Sequence, residues 1–124
     1  MYKDEFWVKS INYNVRLDEA STGKWILETK LDIIKEVFPS LDALVKRGKI
    51  AEVKYSHKEN PSIDMFAALD PVLIVYADDR TKETIKALLH SQGIIPQYWK
   101  YDWETKQDWK PGGKLYKLAK AFDK

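Results

Sequence analysis

From Glu5 to Val15 the chain sets Phe6, Trp7, Val8, Ile11, Tyr13 and Val15 among polar residues, largely at alternating places. That is the period-two pattern of a half-buried strand or strand pair, with Ile11, Tyr13 and Val15 sharing one face. The turn signal Ser21-Thr22-Gly23 precedes Lys24–Glu28, a short apolar run that reads as a strand. Thr29 stands where an N-cap belongs and Asp32 follows three residues on, so the pattern predicts a helix from about Lys30. Leu31, Ile34, Phe38, Leu41, Leu44 and Val45 keep helical spacing across Pro39. One kinked helix or two short ones therefore cover residues 30–47, closed by Lys46-Arg47-Gly48.

Residues 50–56 alternate Ile50, Glu52 and Lys54 against Ala51, Val53 and Tyr55, so a strand there turns Lys54 towards solvent or a cleft. Residues 57–71 are charged, contain two prolines and read as a long loop with a helical turn near 63–68. Val72–Ala77 is apolar on both faces and is expected to be the central strand. The next helix carries Ile85, Leu88 and Leu89 as its buried stripe, Thr81 or Asp79 as its cap and Gly93 as its stop. Ile94–Tyr101 returns as a strand with Pro96 near its start. After Pro111-Gly112-Gly113, residues Leu115, Leu118, Ala119 and Phe122 mark a final amphipathic helix.

This order predicts one α+β domain over residues 1–124, a mainly antiparallel curved sheet with two or three helices on one face. Its 124 residues suit a single core. The net charge of +2 implies no partner by itself, but residues 99–124 hold seven lysines against four acids, so the C-terminal part, with segment 103–124, is basic. With no cysteine, disulfides, thiolate metal sites and cysteine nucleophiles are excluded, and a cytoplasmic, intracellular setting is the expectation. Neither a bilayer-length apolar run nor a signal-peptide core is present, so no membrane partner is expected. Six Asn and Gln among many Lys and Glu lean towards a thermophilic source.

Gly23-Lys24-Trp25, Lys46-Arg47-Gly48-Lys49-Ile50, Val53-Lys54-Tyr55-Ser56, Val72–Asp78, Gly93 and Tyr98–Thr105 occur in the order that resembles a family named after the basophilic leukaemia-expressed protein. The resemblance runs from about Thr22 to Thr105. It implies a fold like that of the messenger-RNA cap-binding initiation factor 4E, a curved antiparallel sheet backed by helices on its convex face. It also implies phosphothreonine-lyase chemistry as an alternative, the label that archaeal relatives often carry. Fold alone transfers neither activity.

Two constellations carry candidate chemistry. A phosphothreonine lyase needs a base, an acid and a cationic clamp, for which Lys54, His57 and the set Lys24, Arg80 and Lys100 are the candidates. The known phosphothreonine lyases place lysine and histidine two residues apart on one strand, whereas here the spacing is three and Ser56 holds the matching place. The competing view makes Lys54 a solvated strand lysine and His57 a loop residue. The second constellation, Tyr98-Trp99-Lys100-Tyr101-Asp102-Trp103 with Lys106, Trp109 and Lys110, interleaves stacking surfaces with cations, as single-stranded RNA or a nucleotide requires. Alternation puts Tyr98, Lys100 and Asp102 on one face and Trp99, Tyr101 and Trp103 on the other, one of them core.

The leading expectation is a binding protein that meets phosphate with Lys24, Lys54, Arg80 and Lys100 and stacks a base on Trp103 and Trp109. The alternatives are the lyase and an accessory factor that captures another protein through the C-terminal helix. Two histidines, His57 and His90, assemble no metal set, and helix capping explains Asp78-Asp79, so no metal or other cofactor is expected.

Overall fold

The run Val72–Ala77 forms a strand with neighbours on both sides, as its two-faced apolar character requires. The computed structural model describes residues 2–3, 7–56 and 71–104. In chain order these contain β1 (Tyr2–Lys3), β2 (Trp7–Ile11), β3 (Gly23–Glu28), α1 (Leu31–Lys46), β4 (Glu52–Ser56), β5 (Val72–Ala77), α2 (Lys82–Ser91) and β6 (Tyr98–Tyr101). The six strands make one antiparallel sheet in the order β1-β2-β4-β5-β3-β6. The α+β architecture with helices on one side of an antiparallel sheet is thus the observed one.

Because β3 and β4 both run antiparallel to β5, α1 joins two parallel strands across a third; α2 does the same between β5 and β6 across β3. These interlocked split β-α-β units give the connectivity also found in ferredoxin-like domains, extended here by the β1–β2 hairpin. The helix-side core joins Val8, Trp25, Val53, Tyr55, Leu73, Val75 and Ala77 of the sheet to Ile34, Phe38, Leu41 and Val45 of α1 and Ile85 and Leu89 of α2. Phe38 meets Tyr55 edge to face at 4.8 Å.

Several local expectations are corrected. Thr29 does not cap α1: its N–H donates to Pro71 O at 3.1 Å, continuing the β3–β5 ladder, and Lys30 takes the N-cap position without a side-chain bond. A single helix runs through Pro39. The alternation of the first strand stops at Ile11, because Asn12 folds the chain back by accepting the Asn14 N–H on Oδ1 at 2.9 Å while its own amide holds Val45 O. Tyr13 is therefore 79% exposed in a turn instead of sharing a strand face.

Both helices end as their glycines predict. Gly48 and Gly93 have φ of 76°, and the paired bonds Lys49 N–H to Leu44 O and Ile94 N–H to Leu89 O complete two Schellman motifs. Ile94 is thus the buried residue that closes α2, and the last strand begins only at Tyr98. The loop expected over 57–71, its helical turn, the hinge at Pro111-Gly112-Gly113 and the C-terminal helix lie outside the described residues, apart from Pro71.

Gly23 is required for a different reason: a Cβ there would lie 2.5 Å from Trp99 Cζ2 and 2.8 Å from Lys100 O. Gly23→Ala should therefore destabilise the protein by about 1–3 kcal/mol, the usual cost of overpacking, as read from chemical denaturation midpoints.

Candidate functional site

The pairing register sorts the strand side chains into two faces. Val8, Ser10, Trp25, Val53, Tyr55, Leu73, Val75 and Ala77 point to the helices and are buried. On the opposite face, Ile11, Glu52, Tyr76, Lys24 and Lys100 form one cross-strand row. Lys9, Lys54, Ile74, Ile26 and Tyr98 form the next. None of the described helices packs on this face, yet Ile26 and Ile74 at its centre are buried.

Four lysines thus share one face, and two of them are anchored over aromatic rings. Lys54 Nζ lies 4.2 Å from the Trp7 ring centroid and 5.6 Å from that of Tyr76. Lys24 Nζ lies 5.8 Å from the same Tyr76 ring and pairs with Asp102 Oδ1 at 3.1 Å, its side chain only 12% exposed. Lys54 has no ion pair among the described residues. Burial lowers its pKa, and the charges of Lys9 and Lys24 act in the same direction against the opposing pull of Glu52 and Asp102. Burial likewise raises the Glu52 carboxyl, with Lys54 and Lys9 opposing, and pushes the Tyr76 phenol well up.

Beside this cluster opens a cleft of about 510 Å³. Ile11, Glu52 and Tyr76 form its sheet side, while Asn12 to Thr22 and Asp102 complete the walls. The 16–22 loop is fixed by the turn after β5. Fully buried Asp78 accepts the Asp18 N–H at 2.8 Å, Arg80 Nη2 at 2.7 Å and the Thr81 hydroxyl at 2.9 Å. Ser21 donates to Asp18 Oδ2 at 2.8 Å and accepts the Asp79 N–H at 3.1 Å.

The cations expected to act together divide accordingly. Lys24, Lys54 and Lys100 share the face away from the helices. Arg80 does not join them, because its guanidinium is held by Asp78 and by Arg16 O at 3.2 Å, where it locks the loop. Thr81 holds the N-cap position of α2 as expected, but the side-chain acceptor there is Asp78, which binds the N–H groups of Arg80 and Thr81.

Trp103 is also separated from the lysines. It is 56% exposed and stacks at 6.0 Å on Tyr101, whose hydroxyl donates to Asp79 Oδ1 at 2.6 Å on the α2 side of the edge strand. Trp99, on that same side, meets Trp25 edge to face at 5.1 Å. His57 and Trp109 lie outside the described residues.

Sequence reasoning missed Trp7, Lys9, Glu52, Tyr76 and Asp102 as parts of this site. Alternation already placed Glu52 beside Lys54, and that signal was sufficient to include it. Trp7, Lys9 and Tyr76 required the strand order, which brings β2 and β5 to either side of β4, and Asp102 required the pairing of β6 with β3. No group of three or more His, Asp or Glu side chains is arranged to hold a metal among the described residues, and no described helix is long and apolar enough to cross a membrane.

Comparisons of the chain with protein-family models, curated proteins and solved structures find no match. The functional reading therefore rests on the geometry of this face.

Proposed function

We propose that the protein is a small binding domain for a phosphorylated ligand, a nucleotide or single-stranded RNA, received on the lysine face of the sheet. The observation that carries this reading is Lys54: a half-buried ammonium held against two aromatic rings, with like charges beside it and no ion pair among the described residues. Burying a charge without a directly paired counter-charge is unfavourable, and Glu52 and Asp102 offset only part of that cost at Lys54. An incoming phosphate supplies that counter-charge and relieves the repulsion from Lys9 and Lys24. Lys24 and Lys100 add cations in the neighbouring row towards β6. The resemblance to the basophilic leukaemia-expressed family, with its initiation-factor-4E-like sheet, belongs to this proposal and is compatible with an antiparallel sheet backed on one side by helices.

The test is a tryptophan-fluorescence titration with nucleoside monophosphates and short single-stranded RNA at low and high salt, since Trp7 lies against Lys54. Binding that weakens with salt is expected. Trp103→Ala should leave the affinity within about two-fold, because Trp103 stands on the other side of β6 from Lys24. Loss of binding in that variant would move the site to the Tyr101 side.

The lowered basicity of Lys54 also favours a second reading, the phosphothreonine lyase, in which a neutral lysine removes the Cα proton as the Cβ–O bond breaks and phosphate leaves. Release of inorganic phosphate from a phosphothreonine peptide, abolished by Lys54→Met, is its expected signature. Capture of a protein partner through the C-terminal helix concerns residues outside those described.

A further inference from the structure

We infer that the ligand is a nucleotide whose base carries an exocyclic amino group, the base entering the cleft and the phosphate lying on Lys54 and Lys9; this rests on the function proposed above. The cleft and the lysines are two parts of one surface. Tyr76 lines the cleft, and its ring also carries the Lys54 and Lys24 ammonium groups at 5.6 and 5.8 Å. The chemistry changes sign across it. On the cleft side stand the carboxylates Glu19, Glu52 and Asp102, whereas Lys9 and Lys54 face each other one row away.

A ligand that satisfies both halves needs N–H donors at one end and an anion at the other. It must also have a flat or apolar body, because Ile11, Val15 and Leu17 line the same cleft. The cleft volume of about 510 Å³ lies in the range that accommodates small ligands such as nucleotides. Glu52 is the acceptor best placed for this discrimination. It is half-buried, its carboxylate has no hydrogen-bond partner among the described residues, and it shares its face of β4 with Lys54. An amino group meets that carboxylate as a donor, whereas a keto oxygen at the same place faces it as a second acceptor and leaves it unpaired.

The experiment compares pairs that differ only in this group, AMP against IMP and CMP against UMP, with ribose 5-phosphate as the base-free control, by calorimetric titration of the whole chain. Tighter binding of AMP and CMP than of their keto partners, by about ten-fold, is expected. Glu52→Leu, checked for folding by circular dichroism, should reduce that ratio to near one while phosphate-dependent binding persists. Equal affinity for amino and keto partners in the unmodified protein overturns this inference but leaves phosphate binding intact. Failure of every nucleotide, of ribose 5-phosphate and of a short single-stranded RNA to bind overturns the proposed function itself, so the two failures are distinct.

Discussion

Replacing Asp78 with alanine should cost the fold about 2 kcal/mol or more, a large stability effect for a substitution outside the hydrophobic core. The carboxylate has no exposed surface and accepts bonds from Asp18, Arg80 and Thr81, so its removal leaves several part-buried donors unpaired at once. Against a total of roughly 5–15 kcal/mol for a domain of this kind, that loss is large. Thermal or urea unfolding of the variant measures it.

The same residue fixes a pH dependence. Burial alone would push the Asp78 carboxyl up; the Arg80 hydrogen bonds and charge, the Asp18 N–H and Thr81 together outweigh it and hold the group at about 2, below the ordinary 3.8. A folded-state value below the unfolded one means that its contribution is complete above pH 4 and is lost as the pH falls towards 2. The contribution is on the order of 2 kcal/mol. An acid-unfolding profile should show it in the unmodified protein and lack it in Asp78→Ala. Since Asp78 also pins the 16–22 loop, the variant should lose ligand affinity through the cleft wall.

The second large effect separates function from stability. Lys54→Met keeps an unbranched apolar stem beside Trp7 and Tyr76 but removes the desolvated ammonium and its contacts with the two rings. It is expected to bind nucleotide at least ten-fold more weakly, the loss of a charge-assisted phosphate contact. Its folding stability should equal or exceed that of the parent, because the lowered basicity of Lys54 shows that the fold disfavours the charged form. The sign is that of a depressed lysine: parent stability rises with pH towards the unfolded value near 10.5, and that rise disappears in Lys54→Met. A variant that is both unfolded and inactive would instead make Lys54 a structural residue.

Much of this architecture is legible in residue spacing. The two-sided apolar run at Val72–Ala77 marks the middle of the sheet, and Gly48 and Gly93 mark the helix ends, because each signal depends on local geometry. Ile94 misleads for a physical reason: a buried residue closing a Schellman motif looks in sequence like the first residue of a strand. Thr29 misleads likewise, since its N–H is already engaged by β5.

The site was legible only in part. Lys54 and Glu52 follow from alternation along one strand. Their grouping with Trp7, Lys9 and Tyr76 depends on pairings between β2, β4 and β5 that no local pattern encodes. Arg80 and Trp103 show the converse, being residues of suitable chemistry that the fold directs elsewhere, one to a buried carboxylate and the other to the Tyr101 ring.

The most direct test of the lysine-face account is backbone-amide chemical-shift mapping by nuclear magnetic resonance during titration with a nucleoside monophosphate. Saturable shifts concentrated at Lys9, Lys24, Lys54 and Tyr76 are expected, with Asp79, Tyr101 and Trp103 unchanged. Shifts centred on Asp79, Tyr101 and Trp103, or no saturable shift at millimolar nucleotide, would contradict it.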